Sequence, residues 1–238
     1  MRFEVDSEAL SLYPAMTIGV ICGRVDGINP QFSQFLEEQR ERAIQSLEGL
    51  DSSKLTQIAE FASWREAYRL FGAKAKKHKP THEALIRRLL KDGTWPQIHP
   101  TVDLYLTNQT IHRLPHGGYD ADRVEGTLRL TRSPGDEAFQ PLGGGEETIE
   151  PGEVVYRDDR SVLTRRWNYR DCERTQMRED SKRFVLMIEA PSAAVATESV
   201  QRAAEDLAAR YGEAFSGAFN SQTLSPREGA ASFELIWP

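Results

Sequence analysis

The side chain most suggestive of chemistry is a carboxylate at the end of an apolar run. Glu189 follows the residues FVLMI, whose composition is typical of a buried β-strand. A carboxylate that ends a buried strand is costly to the fold unless it is paired. Two interpretations stay open: Glu189 binds an ammonium group or orients a water molecule, or it forms a structural ion pair with Arg165 or Arg166.

Two histidines have surroundings that suit contact with a ligand. His116 lies in the turn LPHGG, where Gly117 and Gly118 allow a close backbone approach, and an imidazole there can exchange protons near neutral pH. His99 precedes Pro100, which favours an extended backbone before the next segment. The alternatives are an exposed turn histidine for the first and a packed, hydrogen-bonded edge histidine for the second. The predicted catalytic residues are Glu189, His116 and His99.

Further polar residues are predicted to contact a substrate. Asp103 alternates with apolar neighbours, so in a strand it would face away from them, toward an amine or guanidinium or toward a neighbouring loop. The segment WNYRD follows the predicted strand SVLTRR, and we expect Trp167 to pack while Asn168 and Arg170 face the pocket. The predicted substrate-binding residues are Asp103, Gly117, Gly118, Asn168 and Arg170.

Basic residues are concentrated in one stretch of an otherwise acidic chain. The formal net charge is −6, which argues against a broadly basic nucleic-acid coat but leaves room for a local patch. The loop AKAKKHKP precedes a predicted helix that carries further arginines, and this basic patch is the best candidate for phosphate contact. A solvated surface is the alternative. The predicted phosphate-binding residues are Lys74, Lys76, Lys77, Lys79, Arg87 and Arg88.

The elements that must position these residues change in type along the chain. Predicted helices occupy residues 31–50, 54–61, 62–70, 81–90, with Thr81 in the capping position, and 199–211. Predicted strands occupy residues 2–6, 17–22, 101–108, 126–131, 152–158, 161–167, 183–190 and 231–236. This order predicts an α+β fold, with a mixed or antiparallel sheet flanked by helices, rather than a doubly wound parallel sheet.

Composition excludes several classes of protein. Hydrophobic residues make up 39% and charged residues 28% of the 238 residues, a balance typical of globular domains. Cys22 and Cys172 form no CxxC pair, so neither a disulfide framework nor a zinc site is expected. Because we find no signal peptide and no run of about 20 apolar residues, we expect a cytoplasmic protein without membrane contact. The oligomeric state is left open.

Four stretches together carry a family resemblance. They are SWREAYRLFGAKAKKHKPTHEALIRRLL, WPQIHPTVDLYLTN, LPHGGYDADRVEG and GEVVYRDDRSVLTRRWNYRDCERTQMREDSKRFVLMIEA. Over roughly residues 60–192 the chain resembles the B3/4 domain family, the editing module within the bacterial phenylalanyl-tRNA synthetase beta subunit, which also exists as free-standing proteins. The resemblance implies one domain over residues 1–238, with an N-terminal part (1–60), a core (61–192) and a C-terminal part (193–238).

The resemblance also implies an activity and partners. A B3/4 editing domain hydrolyses the ester that joins a misattached amino acid to the 3′ end of a tRNA, and this activated ester requires neither metal nor cofactor. In the synthetase the equivalent pocket clears tyrosine from phenylalanine tRNA. Free-standing relatives act in trans on other mischarged tRNAs, including ones that carry arginine-like analogues. We therefore expect tRNA as a partner, bound by the basic patch, with a synthetase as a further one.

The matched positions differ from the synthetase pattern in ways that bear on specificity. The pocket glutamate matches Glu189, but the asparagine expected three residues after Asp103 is Leu106, and the synthetase histidine falls on Gly117, one position after His116. Carboxylates at the matched positions favour a cationic side chain. We therefore predict a preference for tRNA charged with a basic amino acid or an arginine analogue. The alternatives are a non-catalytic tRNA or amino-acid binding module and a small-molecule esterase. The carboxylates in question are Asp103, Asp120 and Glu189.

Overall fold

The computed structural model describes residues 1–226 and 231–238. Its strands are β1 (Arg2–Val5), β2 (Thr17–Ile28), β3 (His116–Asp120), β4 (Leu128–Arg132), β5 (Ala138–Phe139), β6 (Glu147–Thr148), β7 (Val154–Arg157), β8 (Val162–Arg165), β9 (Arg170–Asp171), β10 (Arg183–Ala190), β11 (Phe215–Leu224) and β12 (Ala231–Glu234). Its helices are α1 (Ser7–Leu12), α2 (Phe32–Gln45), α3 (Ala59–Leu70), α4 (Thr81–Asp92), α5 (Pro100–His112) and α6 (Thr197–Ala214).

The strands form two main sheets. The larger sheet has the order β12-β1-β4-β7-β8-β9, in which β1 and β4 are parallel and the other neighbours antiparallel. The smaller sheet has the order β11-β2-β10-β3 and is antiparallel throughout. Strands β5 and β6 pair separately. The predicted α+β class, with mixed and antiparallel sheets and accompanying helices, is confirmed.

Strand β10 of the smaller sheet is buried on both faces. On β10, Val185 and Met187 belong to the apolar cluster shared with the larger sheet, whereas Leu186 and Ile188 pack in the cluster formed with α2, α4, α5 and α6. This double burial explains why β10 reads as a continuous apolar run rather than an alternating one. By the same alternation, Glu189 lies on the face directed toward the larger sheet.

Helix α5 corrects the predicted strand at residues 101–108. The sequence there alternates and is rich in residues that favour strands, yet it forms a helix with Pro100 in its first turn. His99 caps this helix, since its side chain accepts a hydrogen bond from Thr101 N. Nearly every residue of α5 from Thr101 to Thr110 is buried, so the helix has no polar face to reveal its period.

Smaller corrections concern where other helices begin. The predicted helices at 54–61 and 62–70 are a short 3₁₀ turn, Leu55–Gln57, followed by α3. Thr81 is the first residue of α4 rather than its cap, which is Pro80 without a side-chain hydrogen bond. Within residues 1–226 and 231–238, every helix is too short or too polar to cross the hydrocarbon core of a bilayer.

Two aromatic rings from the neighbouring strands pack over Gly23 of strand β2. A Cβ atom at this position would lie 2.4 Å from Phe184 Cζ on β10 and 2.8 Å from Phe219 Cδ1 on β11. We expect Gly23→Ala to lower the free energy of unfolding by about 1–3 kcal/mol, because a methyl group overpacks this crossing. Urea unfolding measures the change, with Gly27→Ala as the control in the same strand, where the nearest atom is 3.9 Å away. Equal effects of the two substitutions would contradict the packing argument.

Candidate active site

A cavity of about 60 Å³ lies between the two main sheets. Strands β3 and β10 of the smaller sheet form one wall, and strands β7 to β9 of the larger sheet form the other. Thr81 from α4 and Tyr105 from α5 also contribute. The polar residues that line the cavity, apart from tyrosines, are Thr81, His116, Thr164, Asn168, Asp171 and Glu189.

Glu189 occupies the cavity wall with only 2% of its surface exposed. Its Oε1 accepts hydrogen bonds from the Tyr156 hydroxyl at 2.5 Å and from Trp167 Nε1 at 2.6 Å. Oε2 accepts from neither of these donors, and the side-chain amide of Asn168 lies close enough to the carboxylate to stabilise its charged form. The alternative of an ion pair with Arg165 or Arg166 is wrong, because both guanidinium groups bind Glu153.

The environment of Glu189 raises the pKa of its carboxyl group toward neutral pH. Burial raises the pKa of its carboxyl group to about 7, although the hydrogen bonds from Tyr156 and Trp167 oppose this shift. The charge of Asp171 adds to the increase, so the two carboxyl groups interact across the cavity. A carboxyl group with a pKa near the working pH is suited to accept a proton from water and release it again.

The turn of the hairpin between β8 and β9 carries three of the residues that line the cavity, Trp167, Asn168 and Tyr169. This turn, residues 166–169, holds Arg166 at φ 48° and Trp167 at φ 65°, both in the left-handed region. Such conformations cost about 1–3 kcal/mol each for residues other than glycine. They are held by the hydrogen bond from Trp167 N to Val154 O at 2.6 Å and by the packing of the indole against Tyr13 and Trp64. The strain is therefore placed beside the cavity.

Asn168 presents an amide donor in the same turn. The Tyr68 hydroxyl donates to its Oδ1 at 2.9 Å, which fixes the orientation of the side-chain amide. Its Nδ2 is buried and has no hydrogen-bond partner in the described part of the chain. The Glu189 carboxylate is nevertheless close, because the Asn168 side chain lowers its pKa, and both residues line the cavity. Of the two residues predicted to face the pocket, Asn168 lines the cavity and Arg170 does not, while Trp167, predicted to pack, is buried and also borders the cavity.

His116 borders the cavity without a free nitrogen. Its Nδ1 lies 2.8 Å from Leu114 O and its Nε2 lies 2.8 Å from Asn108 Oδ1. Asn108 Nδ2 in turn donates to Asp206 Oδ2 at 3.2 Å on α6. Burial lowers the pKa of the His116 imidazole to about 3. The predicted proton exchange by His116 would therefore require one of these hydrogen bonds to break.

The other predicted site residues are distributed unevenly around the cavity. Gly117 lines it, whereas Gly118 borders an adjacent, mainly apolar cavity of about 90 Å³. Three predicted residues lie outside its lining: His99 caps α5, Asp103 accepts from Ile98 N at 2.9 Å, and Arg170 binds Glu147 at 2.6 Å. Asp120 is likewise engaged, by Arg123 at 2.9 Å and Ser181 at 2.6 Å. The structure brings together Glu189, His116, Gly117 and Asn168.

One contact connects the basic patch with the lining of the cavity. The ring of His78, within the loop at residues 73–80, packs edge-on against Tyr169 with centroids 4.8 Å apart, and Tyr169 lines the cavity. In this patch Lys74, Lys76, Lys77 and Arg88 are exposed and Lys79 is partly exposed. Arg87 is already committed, since it donates to the buried Glu83 at 2.7 Å.

Several residues that line the cavity were not predicted from the sequence. Tyr119, Tyr156, Thr164 and Asp171 come from four different strands, and only the folded pairing of those strands places them together. Alternation within the predicted strands at 152–158 and 161–167 is the one signal that points Tyr156 and Thr164 to a common face. Among residues 1–226 and 231–238, no cluster of three or more His, Cys, Asp or Glu side chains is arranged to hold a metal ion.

The raised pKa of Glu189 has a measurable effect on stability. Because the folded-state pKa of about 7 exceeds the ordinary value of 4.5, the stabilising contribution is complete below pH 4.5 and is lost as pH rises through 7. We expect the difference in unfolding free energy between wild type and Glu189→Gln to fall by about 2 kcal/mol from pH 5 to pH 8. Urea titrations across this range measure it. The buried histidines titrate identically in both proteins, so parallel stability curves would contradict the assignment.

Comparison with known proteins agrees with the resemblance drawn from the sequence motifs. The model of the B3/4 domain family matches residues 63–213. Among solved structures, the chain is similar to an N-terminal fragment of the phenylalanyl-tRNA synthetase beta-subunit from Pyrococcus horikoshii, with 13% identity and a TM-score of 0.42. That alignment covers 91% of this chain and 49% of the fragment, so the chain spans about half its length. A search of curated proteins finds no match. By the family match over most of its length, the chain belongs to the B3/4 domain family.

Proposed function

We propose that this protein is a trans-editing deacylase that hydrolyses the ester bond of mischarged aminoacyl-tRNA. The observation that carries the proposal is the buried carboxylate of Glu189, which lines the same cavity as the side-chain amide of Asn168 and is stabilised in its charged form by that amide. Ester hydrolysis needs an acceptor for the proton of water and a donor for the developing oxyanion. Membership of the B3/4 family supports an aminoacyl ester as the bond that is broken.

The reaction proceeds through a tetrahedral intermediate. The Glu189 carboxylate takes a proton from water as the water oxygen attacks the ester carbonyl carbon. Asn168 Nδ2 donates a hydrogen bond to the carbonyl oxygen as negative charge develops there. The intermediate then collapses, the bond to the ribose oxygen breaks, and Glu189 returns the proton to that oxygen. The hydrogen bonds from Tyr156 and Trp167 hold the carboxylate in place through both proton transfers.

The tRNA reaches this cavity along the basic patch. Lys76 and Lys77 are exposed on the loop whose His78 contacts Tyr169 at the cavity. Phosphates bound there would place the 3′ end of the tRNA beside the cavity, since lysine ammonium groups attract the backbone irrespective of its sequence. Arg87 contributes less than the sequence suggests, because Glu83 already binds it.

The charge of the cavity favours a cationic substrate. Glu189 and Asp171 line it, and no lysine or arginine of the described residues does. Asp103 and Asp120, on which the sequence prediction also relied, are engaged elsewhere, and Asp171 takes their place. We retain the proposal of a basic amino acid or an arginine analogue as the misattached residue, because an acidic cavity attracts a cationic side chain even when neither carboxylate pairs with it directly.

The proposal extends to the whole chain and its setting. Residues outside the family match supply β1, β2, β11 and β12, which complete both main sheets, and this supports one B3/4-like domain over residues 1–238. We infer action in the cytoplasm on tRNA, with a synthetase as the source of the mischarged substrate. A non-catalytic tRNA or amino-acid binding module is the second candidate, favoured by the two occupied nitrogens of His116.

Glu189→Gln tests the hydrolytic role. With a panel of tRNAs that includes phenylalanine tRNA charged with tyrosine and tRNA charged with arginine or its analogue, we expect wild type to release the basic residue faster. The substitution should lower the deacylation rate by about 100- to 1000-fold, since such a contact contributes about 3–4 kcal/mol in the transition state. The wild-type rate should rise with pH and level off above about 7, following the pKa of Glu189. Initial rates of amino-acid release provide the measurement.

The control for this experiment is Glu205→Gln, which makes the same chemical change on the exposed face of α6. It should deacylate like wild type. Release of amino acid by Glu189→Gln at the wild-type rate would exclude the proposed role of Glu189. Retention of every amino acid by wild type, together with a gel shift, would favour the binding module, and faster release of tyrosine would exclude the basic preference.

Charge reversal in the basic patch tests the path of the tRNA. Lys76→Glu with Lys77→Glu should weaken tRNA binding and reduce the slope of log affinity against log salt by about 1–2, because fewer counterions are released. The control pair, Lys182→Glu with Arg202→Glu, makes the same change in net charge at exposed positions elsewhere. Filter binding at several salt concentrations distinguishes them. Identical slopes for the two double variants would show that this loop is only a solvated surface.

A further inference from the structure

We propose that Asp171 binds the α-ammonium group of the aminoacyl substrate, while Glu189 acts on the attacking water. The inference rests on the proposed deacylase function and divides the work between two carboxylates that line one cavity. Every aminoacyl ester carries a cation one carbon away from its carbonyl group. A site that holds such a substrate therefore needs an anion and, close to it, a donor for the carbonyl oxygen.

Asp171 is oriented by a directed chain of hydroxyl groups. Thr164 Oγ1 donates to Asp171 Oδ1 at 2.5 Å, and the hydroxyl oxygens of Thr164 and Tyr119 are 2.6 Å apart. A threonine hydroxyl has a single proton, so the Tyr119 hydroxyl must be the donor to Thr164. Burial raises the pKa of Tyr119 well above its ordinary value, which keeps that proton in place. Burial raises the pKa of the Asp171 carboxyl group, whereas the hydrogen bond from Thr164 lowers it and so favours the anionic form. An ammonium group bound beside Asp171 would favour that form further.

The remaining oxygen of Asp171 is open to a ligand. Within the described residues, Oδ2 accepts no hydrogen bond, and Asp171 is partly exposed where Glu189 is buried. The neighbouring cation is directed elsewhere, because Arg170 binds Glu147 at 2.6 Å. An arriving ammonium group thus finds a carboxylate that no arginine has neutralised.

The side-chain amide of Asn168, which lines the same cavity next to Glu189, can hold the carbonyl group of such a ligand. Asn168 is 8% exposed, its Oδ1 is fixed by the Tyr68 hydroxyl, and its buried Nδ2 lacks a partner in the described part of the chain. A buried amide donor without an acceptor is costly, and a substrate carbonyl oxygen would satisfy it. The cavity thus offers Asp171 to the ammonium group, Asn168 to the carbonyl oxygen and Glu189 to water.

This division makes the α-amine a requirement for hydrolysis. A substrate whose amine is acylated has no cation to offer, and its amide would leave the Asp171 carboxylate without a charged partner. The protein would therefore spare tRNAs whose amino acid is N-blocked, including those that carry a growing peptide. N-acylation also lowers the intrinsic reactivity of the ester, because it removes an electron-withdrawing ammonium group. The ammonium site is therefore identified by the loss of discrimination in an Asp171 variant and not by the size of the discrimination in wild type.

The test compares free and N-acetylated substrates in wild type and in Asp171→Asn. The probes are tRNA charged with arginine and phenylalanine tRNA charged with tyrosine, each with and without N-acetylation. We expect N-acetylation to lower kcat/KM of wild type by about 30-fold or more. Asp171→Asn should lower kcat/KM by a similar factor on the free substrates and leave the N-acetylated ones unchanged. Asparagine preserves the acceptor for Thr164, and Asp122→Asn, an exposed carboxylate that pairs with Arg183, is the matched control.

Each outcome decides the assignment. If Asp171→Asn lowers kcat/KM equally on free and N-acetylated substrates, Asp171 has a structural role only. If Asp103→Asn, and not Asp171→Asn, loses the discrimination between free and N-acetylated substrates, the ammonium group binds at α5. If wild type hydrolyses none of these tRNAs, the deacylase proposal fails, and the same comparison is made with binding affinities. In that case two results are required for the ammonium assignment. N-acetylation of the substrate and Asp171→Asn must each weaken binding, and Asp171→Asn must bind the N-acetylated substrate no more weakly than wild type does.

Discussion

Two hydrogen bonds to a single oxygen of Glu189 connect the two main sheets. The carboxylate belongs to β10 of the smaller sheet, and its donors, Tyr156 and Trp167, belong to β7 and to the β8–β9 hairpin of the larger one. The cavity exists because polar side chains, rather than apolar ones, meet at this junction. A buried carboxyl group cannot be packed over without loss of its hydrogen bonds, so the sheets are held apart at this point.

The junction combines several features that each destabilise the fold. A carboxyl group is removed from water, two residues adopt left-handed backbone conformations, and the Asn168 amide is left without an acceptor. Their cost is offset elsewhere, in the double-sided burial of β10 and in the aromatic cluster around Trp64. Such a distribution is expected where a site is preorganised for a ligand, since local strain persists only when the surrounding structure imposes it.

Local patterns in the sequence predicted most of the helices and several strands, missed strands β3 and β11, and predicted a strand in place of helix α5. Strand β10 was predictable because a short apolar run that ends in a charge has few other solutions. Helix α5 was not, because burial on all sides removes the helical period and leaves only an alternation that resembles a strand. The same distinction applies to the site. Glu189 can be predicted as a site residue from its own strand. Asp171 cannot, because it reaches the cavity only through the arrangement of β8, β9 and β3 in the folded protein.

Strand β1 has a consequence for how the protein is made. It lies between β4, to which it is parallel, and β12, and the chain reaches β4 only past its midpoint and β12 only near the last residues of the sequence. A ribosome synthesises β1 before either neighbour, so its backbone groups remain unpaired while most of the chain emerges. Closing such distant contacts is slow, and an unpaired strand invites association with other nascent chains. The larger sheet therefore closes only after β12 has followed β1, β4 and the strands between them out of the ribosome.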